Sequence, residues 1–102
     1  MKKAKFYIVK RGLNKPIFEQ VQGYTDFIAD GEHIHEIGYH KPNAYEWSAT
    51  YIDTGLLIVS GKSRAECKAK VQERVQLITQ QLQSPYNKMY ADLMQEVKSH
   101  TA

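Results

Sequence analysis

The chain carries one cysteine, Cys67, in 102 residues, so no internal disulfide can staple it. That fits a reducing compartment, and the cytoplasm is the expected location. No stretch approaches the roughly 18 apolar residues of a membrane span, so no membrane partner is expected. A secretory leader is not expected either. The start, MKKAKFYIVKRG, opens on lysines, but its apolar stretch, Phe6 to Val9, is shorter than the ~7–15 residues of a leader core, and Lys10-Arg11 follow at once. Proline and glycine are scarce, at three and six, and sit between patterned segments as turn punctuation. Repeats, low-complexity tracts and linkers are lacking.

Signatures of catalysis are equally thin. Gly61-Lys62-Ser63 ends like a phosphate-binding loop, but Leu56 stands where the upstream glycine belongs and Gly55 lies one position early. Asp53-Thr54-Gly55 shares its letters with the aspartic-protease triplet, yet it has no second copy and reads as a turn. Cys67 falls near a predicted helix N-terminus, where a thiol can be activated, but on an apolar stripe that marks it as core. His33 and His35 share one strand face and can offer two nitrogens to a metal, with His40, Glu32 or Glu36 as further donors. The third ligand has no defined spacing, so a polar, solvent-facing strand is the expectation. No catalytic residue, cofactor or metal is assigned.

What is present is pattern. Ala4–Lys10 and Ile17–Gln22 alternate as strands, with Gly23 ending or bulging the second. Tyr24–Ala29 is a weaker strand closed by Asp30-Gly31, a hairpin signal. His33–His40 places Ile34 and Ile37 on opposite faces, which predicts a bulge or an early end. Lys41-Pro42-Asn43 reads as a turn. Tyr45–Ile52 follows, with Tyr45, Trp47, Ala49 and Tyr51 on one face. The continuous apolar run Leu56–Val59 predicts a strand inside the sheet rather than at its edge.

Ser63-Arg64-Ala65-Glu66 is a capping box. Cys67, Val71, Val75, Ile78 and Leu82 then recur at steps of four, four, three and four, one apolar helix stripe. Ser84-Pro85 resets the chain as a cap and first-turn proline. Tyr86, Met89, Tyr90, Leu93 and Val97 form a second stripe, with the last residues frayed. Strands first and helices last predict an α+β fold. The expected architecture is one domain over 1–102. An antiparallel meander of about four or five strands over 1–61 lies under a helical cover over 62–99, broken or kinked near Pro85.

Charge is unevenly spread. Residues 1–15 carry six basic side chains and no acid; residues 16–61 carry seven acids against Lys41 alone. Such a chain can present a basic and an acidic side to partners. Two binding modes follow. One uses exposed tyrosines as protein-interface anchors, with Tyr24, Tyr39 and Tyr45 as candidates. The other uses Lys2, Lys3, Lys5, Lys10 and Arg11 as phosphate contacts beside aromatic strands. The acids of 16–61 argue for the first.

Trp47 through Glu73 (WSATYIDTGLLIVSGKSRAECKAKVQE) resembles the C-terminal half of small uncharacterised proteins from phages and mobile elements of Gram-positive bacteria. The shared features are a tryptophan strand, a TG turn, an apolar strand, a G-K-[ST]-R/K turn and a capped helix, over about a quarter of the chain. The resemblance implies an accessory protein acting on host or phage machinery, a setting that includes anti-CRISPR inhibitors. The expected function is a non-enzymatic accessory protein that binds and modulates a host protein or ribonucleoprotein. The alternative is a nucleic-acid-binding regulator.

Overall fold

The computed structural model describes residues 1–101. Five strands precede three helices: β1 (Lys2–Lys10), β2 (Ile17–Asp30), β3 (His33–Asn43), β4 (Glu46–Tyr51), β5 (Leu57–Gly61), α1 (Arg64–Glu73), α2 (Val75–Gln81) and α3 (Pro85–Thr101). The strands form one antiparallel sheet in the order β1-β2-β3-β4-β5, the meander predicted from short connections. The fold is α+β.

The sheet curls. The outer edge of β1 reaches the turn after β4, where the Val9 N–H donates to the Gly55 carbonyl at 2.9 Å. Gly55 sits in that turn at φ +77, which an L side chain rarely adopts, and a Cβ there would lie 2.8 Å from the Met94 methyl. Curling buries both faces of the sheet. On the inner face Phe6 packs edge-on to His40, with ring centroids 5.9 Å apart. A Cβ on Gly38 would stand 2.8 Å from the Phe6 ring and 2.7 Å from Ile52, so a side chain there would have to displace both. Ser48, Thr50 and Thr54 are buried as well.

The outer face holds the main core. Ile37, Tyr39, Ala49, Tyr51 and Val59 meet Cys67, Val71 and Ile78 from the helices. Cys67 and Val71 are fully buried, which stabilises the fold by roughly 1.5–3 kcal/mol for a valine-sized side chain. The capping box forms: the Ser63 hydroxyl accepts from the Glu66 N–H at 3.0 Å, and Glu66 reaches back to the Lys62 N–H. Ser84 likewise caps α3, accepting from the Asn87 N–H at 3.2 Å.

Several expectations are corrected. The first helix is interrupted at Arg74, whose N–H bonds back to Val71. The cause is tertiary: α1 lies on β3, β4 and β5, α2 lies on β2, and the break lets the cover follow the curl. β5 is an edge strand, not an interior one, and Leu57 is exposed. β3 has no bulge at Ile34–Ile37; Ile34 is simply left outside while Ile37 is buried. The register shift falls between His40 and Asn43, and β3 runs through Lys41-Pro42-Asn43. Gly23 neither ends nor splits β2. α3 continues through Thr101 where fraying is expected, and Ala102 lies outside the described residues.

Candidate docking cleft and basic sheet face

The best candidates for chemistry are occupied by structure. His35 is 1% exposed, not solvent-facing as expected. Its Nδ1 lies 2.8 Å from the Tyr51 hydroxyl and its Nε2 lies 2.8 Å from Thr79 Oγ1. Burial pushes its pKa below the ordinary 6.5, with the neighbouring His33 adding to the shift. His33 stacks parallel on it at 6.2 Å. His40 points into the curl on the opposite face, and burial lowers its pKa too. The strand thus separates His40 from the other two. No group of three metal-ligating side chains forms among the described residues. Cys67 is buried, burial raises its thiol pKa, and its Sγ–H points to the Trp47 carbonyl at 3.4 Å.

The tyrosine candidates are dispersed. Tyr39 is 2% exposed and belongs to the core, so the reading of it as an exposed anchor is corrected. It alternates with His40 on β3, and the side it takes is the one that α1 covers. Burial pushes its phenol up to about 12. Tyr45 is 87% exposed in the β3–β4 turn, whose backbone is tied by Asn43. Tyr24 is half-buried, with the Arg64 guanidinium 4.3 Å from its ring centroid.

The basic cluster is divided as well. Lys3 and Lys5 lie on the outer face of β1, while Lys2 and Lys10 alternate to the other face. Lys10 is paired with Glu19 across the ribbon. Arg11 enters the β1–β2 turn.

Two surfaces emerge from this distribution. The first is an open cleft of about 1130 Å³ between the β1–β2 turn, β5, α2 and the start of α3. Lys10, Arg11, Lys15 and Arg74 contribute to its wall, and no Asp or Glu does. Among the described residues Arg11, Lys15 and Arg74 have no ion-pair partner. Leu13, fully exposed at the turn, faces the same space as the exposed Leu57, Leu77 and Tyr86. Tyr86 meets Tyr90 edge-on at 4.9 Å. Sequence reasoning missed this cleft. Its one signal is Leu13 itself, an apolar residue in a basic turn.

The second surface is the outer face of the β1–β2 ribbon. Lys3, Lys5 and Tyr7 oppose Tyr24, Gln22 and Gln20 in register. A recess of about 430 Å³ opens between Lys3, Lys5, Gln22 and Tyr24. The nearest acid on that side of β2, Asp26, is neutralised by Lys68 at 2.9 Å, and this hydrogen bond lowers its pKa. The acids Glu19 and Glu36 fall on the opposite side of their strands, so they do not repel an anion here.

Fold and surfaces together define a small α+β protein with an acid-free apolar cleft and an uncovered basic sheet face. No helix among the described residues is long and apolar enough to cross a membrane. No protein-family model, no curated protein and no solved structure matches the chain.

Proposed function

We propose that this chain is a non-enzymatic binding protein that docks a partner protein, free or within a ribonucleoprotein, in the cleft beside the β1–β2 turn. The observation that carries this reading is the convergence of Leu13, Leu57, Leu77 and Tyr86, all exposed, around a space bordered by cations and no acid. Exposed apolar side chains gathered in one concavity mark interaction sites. The border favours a partner segment with acidic groups flanking apolar anchors, since charge complementarity steers encounter and fixes register. The saturated His35 and the buried Cys67 support binding over catalysis, because a nucleophile or base must reach its substrate.

The accessory setting implied by Trp47–Glu73 is part of the same proposal: the partner belongs to host machinery, possessed by a bacterium and met in the cytoplasm, and binding modulates it, in the manner of an anti-defence inhibitor. The test is affinity capture from a Gram-positive bacterial lysate with wild type and Leu13→Asp, each with and without nuclease. The expected result is a protein retained by wild type after nuclease treatment and lost with Leu13→Asp. Retention that vanishes with nuclease, or that Leu13→Asp leaves unchanged, overturns the cleft reading.

A further inference from the structure

We propose that the outer face of the β1–β2 ribbon binds single-stranded nucleic acid. Three observations converge there. The first is charge: Lys3 and Lys5 lie side by side on an edge strand, Arg64 stands close by on α1, and the one neighbouring acid, Asp26, is already held by Lys68. The second is a set of planes on which bases can stack. Tyr24 carries the Arg64 guanidinium over its ring, the Trp47 ring centroid is 6.3 Å from that of Tyr24, and the half-buried Tyr7 lies farther along the same face. The third is the pair of exposed amides, Gln20 and Gln22, which offer donors and acceptors to base edges.

Lysines on an edge strand also serve to discourage strand pairing with another chain. That role accounts for Lys3 and Lys5 but not for the rings and the arginine plane set beside them. Stacking on aromatic rings and guanidinium planes, with cations tracking the backbone, is how sheets hold unpaired strands. A duplex keeps its base faces stacked inside, so it would leave the planes of Tyr24, Trp47 and Arg64 with nothing to stack on. An acidic protein would satisfy the lysines alone. The face from Lys3 to Tyr7 is about 13 Å long at the rise of an extended strand, enough for a short run of nucleotides. This surface is separate from the cleft, so each can fail without the other.

The experiment is fluorescence anisotropy with labelled oligo-dT and oligo-U of about 12 nucleotides, within the range of single-strand site sizes, over a salt series. Wild type is expected to bind both, more weakly as salt rises. The Lys3→Glu/Lys5→Glu double variant is expected to bind about tenfold or more weakly at moderate salt. The Lys3→Ala/Lys5→Ala variant is expected to lower the logarithmic salt slope by about 1.4, two phosphate contacts on a single strand. Tyr24→Leu is expected to weaken binding without changing the slope, and Leu13→Asp in the cleft to leave it unaltered. Thermal melts of each variant serve as the check that it is folded. The proposal is overturned if wild type binds neither oligonucleotide at low salt, or if charge reversal at Lys3 and Lys5 changes nothing. It is overturned equally if a blunt duplex binds as tightly as the single strands, or if polyglutamate binds more tightly with the same variant pattern.

Discussion

The Thr79 hydroxyl oxygen stands 2.8 Å from Nε2 of His35, and that contact fixes the tautomer of a buried ring. Thr79 directs its proton to Asp30 Oδ2 at 2.7 Å, with the Val75 carbonyl as a longer alternative at 3.1 Å. A carboxylate and a carbonyl can only accept, so the Thr79 oxygen accepts from His35. Nε2 therefore carries the hydrogen, and Nδ1 accepts from the Tyr51 phenol at 2.8 Å. The chain Asp30–Thr79–His35–Tyr51 ties the β2–β3 hairpin to α2 and β4 around a neutral imidazole.

Acid should therefore loosen the fold. Burial lowers the pKa of both His35 and His40 below the ordinary 6.5. At a pH below about 6.5 the unfolded chain takes up protons that the folded chain refuses. Stability is full above that value, falls as pH drops through it, and levels off only below the folded-state pKa values. Thermal melts across mildly acidic pH should show a falling Tm, and the fall should be shallower in a variant with both histidines replaced. A flat wild-type profile would sink the argument.

The two rings differ in what their removal exposes. His35→Phe leaves the buried Tyr51 hydroxyl without its acceptor, at a cost of about 1–3 kcal/mol, while Thr79 keeps its bond to Asp30. His40 Nδ1 has no hydrogen-bond partner, so His40→Phe discards nothing of that kind. Urea titration should rank His35→Phe as the more destabilising change. Equal losses would mean that packing, not hydrogen bonding, governs both sites.

The helical cover makes a second kind of prediction. Ile78 belongs to the core between the sheet and α2, while Met94 is fully buried beside Gly55 and anchors α3. Ile78→Ala and Met94→Ala should each cost about 2–5 kcal/mol. Val75, only half-buried, should cost less. A silent Met94→Ala would show that α3 is not docked as described.

How far the sequence reveals this arrangement depends on the range of the interaction. Local chemistry is legible: the capping box at Ser63 and the cap at Ser84 form where side-chain hydrogen bonds place them, and the hairpin expected at Asp30-Gly31 turns one residue later, at Gly31-Glu32. The Cys67–Leu82 stripe is legible in part: Cys67, Val71, Ile78 and Leu82 face the core, although the helix that carries them breaks at Arg74. The curl is not. It arises from contacts distant in sequence, Phe6 against Gly38 and Val9 against Gly55, and no short window contains them. From the curl follow the buried polar residues of the inner face and the break at Arg74; the edge position of β5 follows instead from its being the last strand of the meander. α3 shows the same limit. Its stripe implies that Tyr86 and Met89 are covered, but the helix is turned toward Met94 and both remain outside. Leu13 lies far along the chain from Leu77 and Tyr86, so their meeting around one cleft has no sequence signature.

The cleft reading makes the sharpest prediction. Leu13 is fully exposed, so Leu13→Asp removes no packing and should change stability by no more than about 0.5 kcal/mol. If Leu13 is an anchor, the same change should weaken the captured partner by about 2 kcal/mol or more, chiefly through faster dissociation. Arg11→Ala and Arg74→Ala should behave differently. Both side chains border the cleft, so their loss should slow association and flatten its salt dependence while altering dissociation less. Surface plasmon resonance with the purified partner, over a salt series, separates the two patterns. An apolar anchor that moves the off-rate and cations that move the on-rate would match an acidic, apolar-anchored partner segment seated between the β1–β2 turn, α2 and α3. Unchanged kinetics with all three variants would place the interface elsewhere, and the exposed Tyr45 would be the next residue to replace.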